Sequence, residues 1–182
     1  MVKNSLGPLH WTQLSFASPW AVSCMDLLGP FRTRPFRGAR ATRNNAQVLD
    51  SHVLIIVCKV SKLISAQVMD GKNIEGLSSA FTMHCSLHGV PTFLGIDADP
   101  AQTLLLSQAE VCFQLRNHLS KEYGIEHEVA PTVENFHQGG VEVRMKAFKR
   151  LAGYLDLTRS NVTPLALQSF VAQVAAILNL TP

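Results

Sequence analysis

The chain has 182 residues, of which 47% are hydrophobic and 16% charged. This composition excludes a disordered chain and predicts one folded domain, because a chain of this length can bury about 70% of its unfolded surface. The net charge is +3, and the longest apolar run, residues 53–58, is too short to span a membrane. The first twenty residues lack an apolar block, so we expect an intracellular protein without a secretory signal.

The chain begins with an irregular lead-in over residues 1–19. A predicted strand follows at residues 20–28, and the turn at Gly29-Pro30 closes it. An Arg-rich loop over residues 31–50 comes next. It carries five arginines and no acid between residues 31 and 44, namely Arg32, Arg34, Arg37, Arg40 and Arg43. Such a cluster is typical of an arm that binds phosphates, and a solvated loop explains the charge equally well.

Helices and strands alternate through the rest of the chain. Residues 53–60 are apolar and β-branched, which is typical of a central strand buried on both faces, and residues 62–69 form the next strand. In chain order, the remaining predicted elements are a helix at 74–88, a strand at 92–96, a helix at 101–123, a strand at 125–129, a flexible loop at 135–140, and helices at 141–155 and 164–178. This order predicts an α/β fold with a mixed sheet of about five strands flanked by helices.

Three acidic residues stand at positions that suit a metal site. Asp26 falls inside the first predicted strand and Asp97 at the end of the fourth. An unpaired carboxylate is costly to bury there, and a metal or an ion pair would offset that cost. Glu142 opens the helix at residues 141–155, where N-terminal capping explains it equally well. A turn before Gly29 is the corresponding alternative for Asp26.

The helix at residues 141–155 presents two distinct faces. Its apolar stripe is formed by Val141, Met145, Phe148, Ala152 and Leu155. Glu142, Lys146 and Lys149 line the neighbouring face. The spacing on this second face predicts either an ordinary salt bridge between residues one turn apart, or a metal ligand followed by two phosphate contacts.

A histidine pair precedes the fourth strand. His84 and His88 stand four residues apart on the predicted helix, a spacing that two zinc ligands can have. No Glu follows His84, so we expect packing rather than metal binding there. Packing is also the expected role of Trp20.

Three segments resemble motifs of retroviral-type integrases encoded by LTR retrotransposons, of the Bel/Pao type. Residues 26–31 (DLLGPF) resemble the first-aspartate motif, and residues 88–97 (HGVPTFLGID) resemble the approach to the second aspartate. Residues 137–149 resemble the helix that bears the catalytic glutamate and its DNA-contacting lysines. The resemblance covers roughly residues 20–182, and its motifs occur in the family's order.

The resemblance implies an RNase H-like fold in which Asp26, Asp97 and Glu142 form a D, D, E triad that holds two Mg²⁺ or Mn²⁺ ions. Lys146, Lys149 and the arginines of the loop would contact DNA. The implied chemistry is metal-dependent phosphoryl transfer, in 3′-end processing and strand transfer on element ends and target duplex. A homodimer and a nuclear location follow from the same resemblance.

Some features depart from the family pattern and leave alternatives open. Asp99 replaces the glycine that usually follows the second aspartate, so Asp99 rather than Asp97 is an alternative ligand. We expect a core over residues 20–156 and a truncated helical extension over residues 157–182, without the family's flanking domains. The chain is then either a catalytic-core fragment, or a degenerate or co-opted module that binds nucleic acid or a protein without catalysis. A nuclease of the ribonuclease H type is a third, less favoured hypothesis.

Overall fold

The computed structural model describes residues 19–34, 49–96, 121–124, 126–129, 139–153 and 162–181. Its strands are β1 (Val22–Thr33), β2 (Leu49–Cys58), β3 (Ile64–Asp70), β4 (Phe93–Ile96) and β5 (Glu126–Val129). Its helices are α1 (Ile74–His88), α2 (Gly139–Gly153) and α3 (Pro164–Leu180), and residues 121–123 are also helical. None of the described helices is long and apolar enough to cross a bilayer.

The strands form one mixed sheet in the order β3-β2-β1-β4-β5. The three strands that come first in the chain pair antiparallel, while β4 and β5 run parallel to β1. The predicted mixed sheet of about five strands is therefore confirmed. A short turn joins the antiparallel strands β2 and β3, whereas parallel strands require crossovers such as the one through α1.

The central strand β2 is the most deeply buried element. From Val53 to Cys58, every residue is 0% exposed. The side chains of Val53, Ile55 and Val57 pack into one core with α2 and α3, and the intervening side chains pack into a second core with α1. The predicted burial of this strand on both faces is confirmed.

Helix α2 packs on the sheet through the predicted apolar stripe. Its buried side chains are Val141, Met145, Phe148 and Ala152, whereas Leu155 lies outside the described residues. The helix begins at Gly139, so the flexible loop predicted for residues 135–140 is wrong at its last two positions. The helix starts close to the β2–β3 turn, where a Cβ at Gly140 would lie 2.8 Å from Cε of Lys62 and the lysine side chain would have to shift.

Helix α3 is held at both ends. Oγ1 of its N-cap, Thr163, accepts a hydrogen bond from the Ala166 amide at 3.2 Å. At the other end, the guanidinium of Arg144 on α2 donates to the carbonyls of Leu178 at 2.7 Å and Thr181 at 2.8 Å. A cation suits this position, because the C-terminal carbonyls of a helix carry partial negative charge.

Two side-chain amides of α3 cover the edge of the sheet that is formed by β3. Asn179 accepts a hydrogen bond from the amide of Ile64 at 2.8 Å and donates to its carbonyl at 2.9 Å. Gln168 accepts from the amide of Val68 at 2.6 Å and donates to the carbonyl of Ala66 at 3.2 Å. These amides occupy the place where an additional strand would pair with β3.

The turn predicted at Gly29-Pro30 is wrong, because β1 continues through it to Thr33. The register between β1 and β2 shifts between Leu28 and Phe31, and pairing then resumes. A bulge thus absorbs the two residues that read as a turn in the sequence. The Arg-rich loop is correspondingly shorter than residues 31–50, and its middle, residues 35–48, lies outside the described residues.

Strand β2 begins four residues before its predicted start at residue 53, and the other predicted elements agree with the structure within two residues where it describes them. Helix α1 spans the predicted residues, with Asn73 as N-cap and Gly89 after its end at φ +86°. The lead-in before Pro19 lies outside the described residues. The same holds for most of the helix predicted at residues 101–123.

Replacement of Gly29 by Ala is expected to lower the free energy of unfolding by about 1–3 kcal/mol. Gly29 has φ +136°, and an added Cβ would lie 3.1 Å from the carbonyl oxygen of Ser51. Urea unfolding measures the change. The control is Gly153→Ala, where no heavy atom lies within 4 Å of an added Cβ. Equal free energies of unfolding for the two variants would show that the bulge does not require glycine at position 29.

Candidate functional site

Asp26 lies in the middle of β1, opposite Ile55 of β2. It shares a sheet face with Cys24, which packs against α2 and α3. Its side chain is only 13% exposed and its Oδ2 contacts Nζ of Lys149 on α2. Its Oδ1 accepts a hydrogen bond from the amide of Leu27 at 2.7 Å. The sequence predicts an ion pair or a metal at this carboxylate, and the structure shows an ion pair.

Glu142 and Lys146 form a second ion pair one turn apart on α2. Their side chains are 47% and 73% exposed, so water screens the attraction and the pair contributes little stability. This is the ordinary salt bridge that the sequence spacing predicts. Glu142 precedes Lys149 by seven residues, which is about 10 Å along the helix axis.

Lys149 therefore connects the strand that carries the first predicted ligand to the helix that carries the third. The second predicted ligand, Asp97, and its alternative, Asp99, lie outside the described residues. Strand β4 ends at Ile96, which pairs with Met25 of β1. The strand that precedes Asp97 thus ends beside the residue that precedes Asp26.

The described part of the chain contains no group of three or more His, Cys, Asp or Glu side chains that could hold a metal. The carboxylates of Asp26 and Glu142 are hard oxygen ligands of the kind that Mg²⁺ and Mn²⁺ prefer. Each already contacts a cation, the ammonium of a lysine. The chemistry of these donors fits a divalent ion, which would have to take the place of an ammonium.

The Arg-rich loop is described only at its base. Arg32 is exposed and stands opposite Asp50 across the β1–β2 pair, where opposite charges attract. Arg34 is also exposed, and its backbone amide donates to the carbonyl of Val162 at 2.9 Å. The other three arginines, Arg37, Arg40 and Arg43, lie outside the described residues.

The histidine pair of α1 packs against Trp20, which is buried as expected. The Trp20 ring stacks on His88 with centroids 4.4 Å apart and meets His84 edge-on at 4.9 Å. His84 is fully buried, and neither ring nitrogen has a hydrogen-bond partner among the described residues. Burial, with the nearby His88, lowers the pKa of His84 to about 4, so the ring is neutral at neutral pH. The spacing of the histidines was visible in the sequence, but their contact with Trp20 was not.

No family model and no curated protein matches the sequence. Among solved structures, the chain is similar to the catalytic core domain of BIV integrase, with a TM-score of 0.54 and 15% identity over 90% of this chain and 86% of that one. It is also similar to the HTLV-2 integrase catalytic core domain in complex with magnesium, with a TM-score of 0.49 and 20% identity over 91% and 89%. The likeness to the BIV domain shows the fold. This chain has the RNase H-like fold of an integrase catalytic core.

Acid is expected to destabilise the fold through His84. Its pKa of about 4 in the folded chain lies below the ordinary value of 6.5, so stability is complete above pH 6.5 and falls as the pH drops toward 4. The full loss is about 3 kcal/mol. Urea unfolding at several pH values measures it, and His84→Phe is expected to flatten the profile. An unchanged profile in that variant would contradict this assignment.

Proposed function

We propose that the chain is the catalytic core of a Bel/Pao-type retrotransposon integrase, which binds DNA and carries out metal-dependent phosphoryl transfer. The observation that carries the proposal is the contact between Asp26 and Lys149, within the fold of an integrase core. It brings together the strand with the first predicted aspartate and the helix with the predicted glutamate. The reactions would be 3′-end processing and strand transfer.

Each residue has a distinct role in this proposal. Asp26, Asp97 and Glu142 would hold two Mg²⁺ or Mn²⁺ ions, which supply activation of the attacking oxygen and stabilisation of the leaving oxygen when bound. Lys146 and Lys149 would orient the DNA by contacting its phosphates. Both lie on the same edge of α2 as Glu142, so DNA bound along this edge would reach the carboxylates.

The Arg-rich loop would supply further phosphate contacts, made by Arg32, Arg34, Arg37, Arg40 and Arg43. Arg32 and Arg34 support this role by their exposure at the base of the loop. Contacts of this kind bind any sequence and weaken with salt, because each one releases counterions from the DNA. Integration into chromosomal DNA would require a nuclear location.

Substitution of Asp26 or Glu142 by Ala is expected to lower Mn²⁺-dependent nicking of a DNA duplex at least about a hundredfold, because loss of even an outer-shell partner costs 10–100-fold. The assay follows cleavage of a labelled duplex, with circular dichroism to verify folding. The control is Glu75→Gln, which removes an acidic side chain from the first turn of α1. Nicking that survives both Ala substitutions would show that the triad is assigned incorrectly.

The alternative is a degenerate or co-opted module that binds nucleic acid without catalysis. The observation that favours it is that both described carboxylates of the proposed site contact lysines. Such a module would bind DNA in a salt-sensitive way, with the same affinity in the presence and absence of Mg²⁺. DNA binding by the unaltered chain without any nicking would favour this alternative.

A homodimer is the proposed assembly, and the described surface offers an apolar groove for it. The groove has a volume of about 540 Å³ and lies between α1, α3 and the edge of β3. Met83 and Leu87 on α1 line it and are 53% and 63% exposed. Since Gln168 and Asn179 already bind the β3 edge, a second copy would pack against side chains and would not extend the sheet.

Leu87→Glu is expected to shift this dimer toward monomer, because the substitution places a charge in the apolar contact. Sedimentation velocity at several protein concentrations measures the change. Leu165→Glu is the matched control, since Leu165 is 77% exposed on α3 and does not line the groove. A monomeric unaltered chain, or equal dissociation of the two variants, would rule out this surface.

A further inference from the structure

The ion pair between Asp26 and Lys149 is unlike an ordinary surface pair. Asp26 is mostly buried, with 13% of its side chain exposed, on the sheet face that α2 covers. Both of its oxygens are engaged, because Oδ1 accepts the amide of Leu27 and Oδ2 contacts the ammonium of Lys149. A buried carboxylate without such a partner would be strongly unfavourable. The chain itself therefore supplies the cation that neutralises this carboxylate.

Lys149 contacts a carboxylate that the proposed function, on which this inference rests, assigns to a metal ion as a ligand. An ammonium and a divalent cation at the same carboxylate oxygen repel each other, because both are positive and only a few ångströms apart. The ammonium therefore weakens metal binding at Asp26 for as long as it contacts Oδ2. We propose that Lys149 is a built-in counter-ion that keeps the metal from Asp26 until DNA draws the lysine away.

The position of Lys149 allows this exchange. Its side chain is 36% exposed, so the ammonium can leave Asp26 by rotation of the side chain, without movement of α2. Lys146, one turn earlier, is 73% exposed on the same edge of the helix. A phosphate that binds along this edge offers Lys149 another anion and leaves the carboxylate open to the metal. Metal and DNA would then increase each other's affinity by the same factor.

The test is a calorimetric titration of the full chain with Mn²⁺, in the absence and presence of a DNA duplex. Without DNA, Lys149→Gln is expected to bind Mn²⁺ about twofold to tenfold more tightly than the unaltered chain, because the competing cation is gone. Lys149→Arg keeps the charge and is expected to resemble the unaltered chain. Arg150→Gln removes a charge at the next position of α2, and controls for a general electrostatic effect.

The duplex separates this inference from the proposed function. DNA is expected to tighten Mn²⁺ binding by the unaltered chain about fivefold or more, and to change that of Lys149→Gln much less. Equal Mn²⁺ affinity of the unaltered chain and Lys149→Gln would overturn the inference and leave the metal site of the proposed function standing. Failure of every form to bind Mn²⁺, with and without DNA, would overturn the proposed function itself.

A measurement on the unaltered chain covers the case in which Lys149→Gln does not fold. In NMR, the ammonium of Lys149 is expected to exchange with water more slowly than that of the more exposed Lys146, and the Asp26→Asn substitution is expected to remove this difference. Addition of Mg²⁺ together with the duplex is expected to shift the Lys149 ammonium resonance, because its partner changes from a carboxylate to a phosphate. A resonance that keeps its original position while the duplex is bound would contradict the exchange.

Discussion

The burial of β2 on both faces is the constraint on which the rest of the structure depends. Because its side chains alternate between two cores, α1 must cover one face of the sheet while α2 and α3 cover the other. Asp26 pairs with Ile55 of this strand and lies on the α2 side. The location of the proposed site therefore follows from the packing of β2, since α2 carries both Glu142 and Lys149.

Features encoded by local sequence were predicted well. The uninterrupted apolar run of β2 indicated burial on both faces. Gly89 marked the end of α1, because the residue that follows a helix often takes a positive φ, as Gly89 does. The salt bridge of Glu142 with Lys146 also follows from helical spacing alone. In each case, the information lies within a few neighbouring residues.

Features that depend on distant partners were not predicted. Gly29-Pro30 has the composition of a turn, but pairing with β2 carries β1 through it. Gly140 has the composition of a loop, but it lies in the first turn of α2, beside the Lys62 side chain. At the site, the cost of burying Asp26 indicated that the carboxylate needs a partner. The partner is Lys149, because α2 packs across the sheet so that this residue meets Asp26. No local sequence pattern predicts that packing.

The contact of Arg144 with the end of α3 has a consequence for the boundaries of this domain. Arg144 follows Glu142 by two residues, and its guanidinium binds carbonyls of Leu178 and Thr181, more than thirty positions later in the sequence. Proteolytic trimming or a stop codon ahead of residue 178 would remove both acceptors and leave the guanidinium without them. The helix that bears Glu142, Lys146 and Lys149 would lose an anchor, even though every residue of the proposed site remained in the chain.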